Sequence, residues 1–295
     1  MKFRDASAFR MALEKRLKDR AAGDGAQLAR DRKRVAFDRL LARLLVVAKG
    51  RWLLKGGFAL DLRLQSRARS TKDVDIEWRA GENELLETLL GASRCDMGDF
   101  FVFAIERAER PDDRLGGSHR FRVSASLAGR PFETFLLDVG LGSDAVETIE
   151  TLSTDDLLGF AGIEPVEVEA IPLELQVAEK LHAYTRRYEG RRVSTRTKDL
   201  IDLVLIAELS TLEASTLHQE IETIFSIRNT HTAPAALPLP PRDWQAPFRR
   251  LAEEVGVPAN LRERLPLCRP DAGPDPQRQS HRRALEPVAE ALASR

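Results

Sequence analysis

"LLKGGFALDLRLQSRARSTKDVDIEW", residues 53–78, is the stretch of sequence that decides the predicted fold. Its first residues close a short apolar segment, and Gly56 and Gly57 follow at once. Residues 58–65 have the apolar spacing of a helix, and residues 73–78 alternate strictly between polar and apolar side chains. This order predicts a strand, a glycine turn, a helix and a second strand.

The rest of the chain extends this pattern in both directions. Residues 6–49 predict one or two helices, and residues 84–92 predict another. Three further strands are predicted in "FFVFAIERA", "HRFRVSASL" and "PFETFLLDVG". From Pro172 onward the pattern is mainly helical, at 172–188, 197–208, 211–228, 247–256 and 281–294.

These elements predict an α+β protein, in which an α+β half is followed by a mainly helical half. The predicted parts are basic amino-terminal helices at 1–50, an α/β core at 51–170 and a helical carboxy-terminal domain at 171–295.

The composition is that of a folded protein, because 43% of the 295 residues are hydrophobic and 31% are charged. The 46 basic and 46 acidic residues cancel, but they are unevenly distributed. Residues 1–50 carry 14 Lys and Arg against 6 Asp and Glu, whereas residues 131–180 carry 12 acidic residues and one lysine. The separation indicates either sites for a polyanion and for cations, or solvated helix faces of opposite sign.

The sequence also bears on the cellular compartment of the protein and on whether its cysteines form a disulfide or a zinc site. The amino terminus has no apolar core like that of a signal peptide, and the longest apolar run, at 40–48, is interrupted by Arg43. We therefore expect a cytoplasmic protein without a membrane partner. Cys95 and Cys268 are far apart and lack the spacing of metal ligands, so we expect no disulfide and no zinc site.

Asp73 and Asp75 are the first candidate site residues. Alternate residues of a strand project from one face, so the two carboxylates stand side by side, close enough to share a divalent cation. Aspartate is rare in strands and like charges repel, so the arrangement is unfavourable unless a cation offsets it. The alternative is an ordinary half-exposed strand, which has the same pattern.

Two further features favour a site for a metal ion and a phosphate. Gly56 and Gly57 lie at the start of the predicted helix, where glycines let a phosphate approach the free N–H groups. Asp138 ends an otherwise apolar strand and would supply a third carboxylate to a two-metal phosphoryl-transfer centre. The alternative for Asp138 is a strand-end aspartate that enters a turn at Gly140.

Lys180 and Asp202 are the candidates in the helical half. The apolar positions around Lys180 place it on the buried face of its helix, and Asp202 is the one polar residue between Leu200 and Ala207. Each therefore needs a partner. One interpretation is a mutual ion pair; in the other, Lys180 binds a triphosphate while Asp202 holds the lysine or acts on the attacking hydroxyl.

In combination these motifs resemble the AbiEii toxin family of nucleotidyltransferases, especially its MenT branch, within the polymerase β-like superfamily. The resemblance runs from about Lys55 to about Ile206, in the order Lys-Gly-Gly, a helix, Thr-Lys-Asp-Val-Asp, a later strand aspartate, "AEKLHA" and "RTKDLIDL". The Gly-Gly turn departs from the Gly-Ser that the superfamily often has. Backbone N–H groups and Lys55 or Lys72 would replace the missing hydroxyl.

The resemblance implies the polymerase β-like nucleotidyltransferase fold, which has a mixed sheet with flanking helices, and it assigns roles to individual residues. The expected catalytic residues are Asp73, Asp75, Lys180 and Asp202. The expected nucleotide- and phosphate-binding residues are Lys55, Gly56, Gly57, Thr71 and Lys72. The expected metal ligands are Asp73, Asp75 and Asp138. Thr71 also falls where relatives carry a Ser or Thr that an antitoxin kinase phosphorylates.

The resemblance further implies a toxin of a toxin–antitoxin module, with an AbiEi-like antitoxin encoded alongside. Such an enzyme uses Mg²⁺ or Mn²⁺ to transfer NMP from an NTP to the 3′ end of tRNA, and so blocks aminoacylation. Residues 186–198 hold six basic residues and one acidic residue, so they form either an RNA-binding segment, together with the amino-terminal helices, or a solvated loop. The candidates for RNA contacts are Arg186, Arg187, Arg191, Arg192 and Arg196.

Two other classes of function remain open from the sequence. The chain could transfer nucleotides to the hydroxyl of a protein or a small molecule. The rate of such a transfer would depend less on salt concentration than the rate of transfer to RNA does. The chain could instead be a non-catalytic regulator that binds an NTP and never releases pyrophosphate.

Overall fold

The structure is a computed structural model that describes residues 1–108, 118–142, 146, 148–186, 196–234, 237–238 and 240–257. The chain divides into two compact units. Unit 1 comprises Met1–Arg63 and Ser70–Ile171, and unit 2 comprises Leu64–Arg69 and the chain from Pro172 onward. The segment Leu64–Arg69 thus belongs to the helical unit, although its neighbours in sequence belong to the α/β unit.

Unit 1 contains the sheet and its helices. In chain order its elements are α1 (Ala6–Ala21), α2 (Gly25–Ala48), β1 (Trp52–Lys55), α3 (Gly56–Leu64, whose last residue is counted with unit 2), β2 (Asp73–Trp78), α4 (Glu82–Arg94), β3 (Phe101–Arg107), β4 (His119–Leu127), β5 (Arg130–Leu141), β6 (Glu150–Ser153) and β7 (Glu167–Ala170).

The strands form one seven-stranded mixed sheet in the order β3-β4-β5-β2-β1-β7-β6. β2 is central, antiparallel to β1 on one side and parallel to β5 on the other. β4 lies antiparallel to both β3 and β5, while β7 is parallel to β1 and antiparallel to β6. The predicted mixed sheet with flanking helices is therefore confirmed.

The alternation within β2 separates its two faces. Val74 and Ile76 are fully buried in the core, whereas Asp73 and Asp75 are only partly buried on the other face. This is the arrangement that a pleated strand with one apolar side must adopt.

The amino-terminal helices pack into the same core as the sheet. On α1, Phe9, Leu13 and Leu17 recur every four residues and are buried, as expected for one apolar stripe of a helix. These residues and the apolar residues of α2 belong to the cluster that also contains the buried side of the sheet. The predicted parts 1–50 and 51–170 thus lie together in unit 1, apart from Leu64–Arg69.

Several basic residues of α2 form ion pairs inside unit 1. The side chain of Arg43 is 1% exposed and donates to both carboxylate oxygens of Asp99, at 2.9 and 2.7 Å. Arg34 binds Asp61 at 2.6 Å and Asp155 at 2.7 Å. The positive charge predicted for the amino-terminal region is therefore partly neutralised by distant acidic residues.

Unit 2 is helical within the residues that the structure describes. Its helices are α5 (Leu173–Thr185), α6 (Thr197–Leu209), α7 (Ala214–Arg228) and α8 (Gln245–Val255). α5 packs against α6 and α7, and α6 also packs against α8. The predicted helical carboxy-terminal half is confirmed for these residues, and the helix predicted at 281–294 lies outside them.

Two strands of the sheet differ from the sequence prediction. β6 and β7 were not predicted, because each has four residues and the two segments carry three glutamates, which are uncommon in strands. β7 is held because its Ala170 pairs with Leu54 of β1, a partner far away in sequence.

A search for helices that could cross a bilayer, made over the described residues, finds none of sufficient length and apolarity.

Candidate functional site

The carboxylates of β2 form the centre of the candidate site in unit 1. Asp73 and Asp75 lie on one face of the strand, as the alternation predicts. Thr71, which is 5% exposed, donates its hydroxyl to the Asp73 side chain at 2.9 Å and to the Asp73 carbonyl oxygen at 3.2 Å. The hydroxyl fixes one carboxylate of the pair.

Asp138 brings a third carboxylate to the same level of the sheet. It is the register partner of Asp75 in the parallel pair of β2 and β5. The expectation that Asp138 ends its strand, or enters a turn at Gly140, is wrong, because β5 continues to Leu141. Pairing with β2 keeps the strand extended beyond the aspartate.

Arg120 of β4 holds the Asp138 carboxylate and was missed by the sequence analysis. Its Nε and Nη2 donate to the two oxygens of Asp138 at 2.6 and 2.8 Å. The two residues are directly opposite each other on adjacent antiparallel strands. The available signal was the alternation of "HRFRV", but the register that brings Arg120 to Asp138 is not readable from one strand.

The donor chemistry of the three aspartates suits Mg²⁺, which prefers carboxylate oxygens. Asp73 and Asp75 fit such an ion because they are adjacent on one face of β2. Both oxygens of Asp138 also accept from the Arg120 guanidinium, so a cation bound there would share this carboxylate with a positive side chain. Over the described residues, no three His, Cys, Asp or Glu side chains are placed so that they could hold a metal ion together.

Gly56 makes room for Asp75. It begins α3 with a φ of +68°, in the left-handed region that favours glycine. A Cβ on Gly56 would lie 2.5 Å from Cγ and 2.7 Å from Cβ of Asp75, and closer still to one carboxylate oxygen. The glycine turn and the carboxylate strand are therefore in direct contact, and Gly57 follows as the second residue of α3.

The two lysines predicted to bind phosphate have different surroundings. Lys55 is the register partner of Asp75 and forms an ion pair with Glu77 at 2.9 Å. Lys72 is exposed. The structure thus brings Lys55 to the carboxylate face, where its charge is shared with a glutamate.

Lys180 and Asp202 meet in unit 2. The Lys180 Nζ lies 2.7 Å from Asp202 Oδ2, and the two residues are 8% and 2% exposed. Arg69 also binds Asp202, through Nε and Nη2 at 2.9 Å each, and was not predicted. Lys180 has a second carboxylate, Asp199, at 3.5 Å. The predicted pair is thus part of a larger ion-pair cluster.

The charges of this cluster stabilise one another. Burial lowers the pKa of Lys180, but the carboxylates of Asp202 and Asp199 outweigh it, so this pKa lies above its ordinary value. Burial raises the pKa of Asp202, but Lys180 and Arg69 outweigh it and hold this pKa below its ordinary value. Asp202 is therefore a weak proton acceptor, and its geometry favours holding Lys180 over activating a hydroxyl.

The predicted RNA-binding arginines are only partly described. Arg186 follows the end of α5, and Arg196 binds Asp199 at 2.9 Å. Arg187, Arg191 and Arg192 lie outside the described residues.

Comparison with known proteins identifies the family of the chain and a shared fold. The model of one protein family, described as nucleotidyl transferase AbiEii toxin of type IV toxin–antitoxin systems, matches residues 39–265. No curated protein sequence matches the chain.

Among solved structures, MenT4, nucleotidyltransferase toxin Rv2826c from Mycobacterium tuberculosis H37Rv, is similar over 95% of this chain and 98% of its own, with 20% identity and a TM-score of 0.58. JHP933 from Helicobacter pylori is similar over 89% of this chain and 92% of its own, with 15% identity and a TM-score of 0.43. The likeness to MenT4 supports a shared fold.

We expect Gly56→Ala to destabilise the protein, because the added methyl group meets Asp75 and the backbone is left-handed. Gly98→Ala is the matched control, since Gly98 has a φ of +64° with nothing within 4 Å of the added Cβ. The control should lower the free energy of unfolding by about 1–2 kcal/mol, and Gly56→Ala by more. Urea unfolding followed by circular dichroism measures both, and equal losses would contradict the close contact.

We expect Lys180→Ala and Asp202→Ala to differ in stability. Lys180→Ala leaves Asp202 paired with Arg69, whereas Asp202→Ala removes a carboxylate from two buried cations. Asp202→Ala should therefore lower the free energy of unfolding by about 3–5 kcal/mol and Lys180→Ala by clearly less. Thermal and urea unfolding measure both variants. A larger loss of unfolding free energy in Lys180→Ala than in Asp202→Ala would contradict the pairing of Asp202 with both cations.

Proposed function

The chain belongs to the AbiEii family of nucleotidyltransferase toxins of type IV toxin–antitoxin systems, and from this premise we propose that it transfers NMP to the 3′ end of tRNA in a Mg²⁺-dependent reaction. The observation that carries the proposal is the position of Asp75. It is the register partner of Asp138, and its side chain lies against Gly56. Carboxylates for a metal ion and a side-chain-free helix start for a phosphate are the two parts that nucleotidyl transfer requires.

In this reaction the tRNA 3′-hydroxyl gives up its proton to water and its oxygen attacks the α-phosphorus of the NTP. A new O–P bond forms, and the bond to the β-phosphate breaks as pyrophosphate leaves. Asp73 and Asp75 would hold one Mg²⁺ and, with Asp138, a second. Bound Mg²⁺ neutralises phosphate charge and makes the attacking hydroxyl more acidic.

The chain's own residues contribute position and charge. The first turn of α3, which begins at Gly56 and Gly57, offers N–H groups to phosphate oxygens. Lys55 and Lys72 would add positive charge to the same end of the strand. Thr71 keeps the Asp73 carboxylate in place through its hydroxyl.

Lys180 and Asp202 are proposed as catalytic residues on the basis of the family resemblance. The raised pKa of Lys180 keeps its ammonium charged, as the stabilisation of phosphate oxygens requires. Asp202 would fix the direction of that ammonium, with Arg69 holding the carboxylate from another side. Asp202 would thus act through Lys180.

The proposed partners are NTP, tRNA and a cognate AbiEi-like antitoxin, and the proposed compartment is the cytoplasm. The basic segment 186–198 supports tRNA as the acceptor, because an RNA backbone binds clustered arginines. Several arginines of α2 cannot serve, since Arg34 and Arg43 are buried in ion pairs.

We expect Asp73→Asn to reduce transfer of labelled NMP to tRNA by about 10²- to 10³-fold, because it removes charge stabilisation of the transition state. The melting temperature should stay close to that of wild type. Glu106→Gln, at an exposed carboxylate on β3 of the same sheet, is the control and should retain activity.

The assay uses purified protein, total tRNA and each labelled NTP in turn, at low and high salt. Activity that is insensitive to salt, or that labels protein or small molecules instead of tRNA, would favour a different acceptor. Binding of NTP without release of pyrophosphate would show that the chain is a non-catalytic regulator. An unchanged rate of NMP transfer in Asp73→Asn would contradict a role for Asp73 in metal binding.

We propose that phosphorylation of Thr71 inhibits the enzyme, because a phosphate adds a charge of about −1.5 to −2 beside Asp73. We expect Thr71→Glu to raise the KM for NTP and slow transfer, whereas Thr71→Val, which replaces the hydroxyl by a methyl group and adds no charge, should be affected less. Steady-state kinetics on both variants measure this. A Thr71→Glu enzyme as fast as wild type would contradict the regulatory role.

A further inference from the structure

The ion pair between Arg120 and Asp138 lies on the partly open face of the sheet. The side chain of Arg120 is 43% exposed and that of Asp138 is 21% exposed. Exposed ion pairs contribute little to the stability of a fold because water competes for both charges. The pair is therefore exchangeable, in contrast to the buried pair of Arg43 and Asp99, whose side chains are 1% and 2% exposed.

The position of Asp138 connects its ion pair with Arg120 to metal binding. Asp138 stands in register with Asp75, so a cation that binds both must use carboxylate oxygens of Asp138. Arg120 occupies both of those oxygens with its two-pronged guanidinium, at 2.6 and 2.8 Å. A divalent ion at Asp138 and the guanidinium would be two positive charges at one carboxylate, and they therefore compete for it.

We propose that Arg120 is a positioning residue that holds Asp138 in the metal-free enzyme and yields it when a divalent cation binds. This proposal rests on the proposed function, because it assumes a cation at Asp73, Asp75 and Asp138. Before the ion arrives, the guanidinium offsets part of the repulsion between the three carboxylates. The metal-free strands can thus stay in register while the affinity for the metal ion is held down.

Arg122 provides a matched control. It lies two residues further along β4, so it projects from the same face, and it is exposed. Its register partners are Leu136 and Glu106, not Asp138. Arg122→Gln therefore removes the same charge from the same strand without releasing the carboxylate.

The experiment is a titration of the full-length protein with Mn²⁺, without NTP, in which free Mn²⁺ is measured by electron paramagnetic resonance. We expect Arg120→Gln to bind Mn²⁺ about fivefold more tightly than Arg122→Gln, the size of one exposed ion pair. Arg120→Lys, which keeps the charge but loses the two-point contact, should lie between wild type and Arg120→Gln. With Asp138→Asn in the background, the difference between the two Gln variants should disappear.

Equal Mn²⁺ affinities in Arg120→Gln and Arg122→Gln would overturn the proposal while leaving the proposed function intact. A difference that persists with Asp138→Asn would also overturn it, because the effect would then not act through Asp138. A wild-type protein that binds no Mn²⁺, or an Asp73→Asn variant that binds it as tightly as wild type, would overturn both the proposal and the assigned metal site.

Discussion

The register of β2 determines both the core of unit 1 and the chemistry of its candidate site. Val74 and Ile76 are fully buried on one face, and the pleat of the strand then places Asp73 and Asp75 on the other. β1 and β5 pair with β2 on either side, so Asp138 comes level with Asp75. A shift of one residue would exchange the two faces and bury the carboxylates. Packing of the core and placement of the aspartates therefore depend on the same hydrogen-bonded ladder.

The candidate acidic residues of both units already accept hydrogen bonds from donors of this chain. In unit 1 the donors to Asp138 and Asp73 are the partly exposed Arg120 and the uncharged Thr71. In unit 2 the donors are buried cations, Arg69 and Lys180, around Asp202. Exposed pairs exchange at small cost, whereas breaking a buried pair is strongly unfavourable. The first set is thus suited to bind and release ligands, and the second to keep one fixed geometry.

Local pattern predicted those parts of the structure that depend on neighbouring residues. The alternation of residues 73–78 gave the correct strand, and the apolar spacing around Lys180 gave its burial. The two glycines marked the helix start, but they are its first two residues and not a separate turn before it. Arg69 and Arg120 were missed, because nothing in "RARS" or "HRFRV" indicates a carboxylate on another element. β7 was missed for the same reason, since its pairing with β1 joins segments more than a hundred residues apart.

The assignment of Leu64–Arg69 to unit 2 imposes an order on assembly during synthesis. Arg69 leaves the ribosome just before β2, but its partner Asp202 is made 133 residues later. At about 5–20 residues per second, Arg69 therefore stays hydrated for roughly 7 to 27 s. The strands β2 to β7 of unit 1 are synthesised within that interval, and β1 precedes it. A nascent chain that stalls before α6 thus carries the aspartates of the sheet but lacks the carboxylate that Arg69 and Lys180 share.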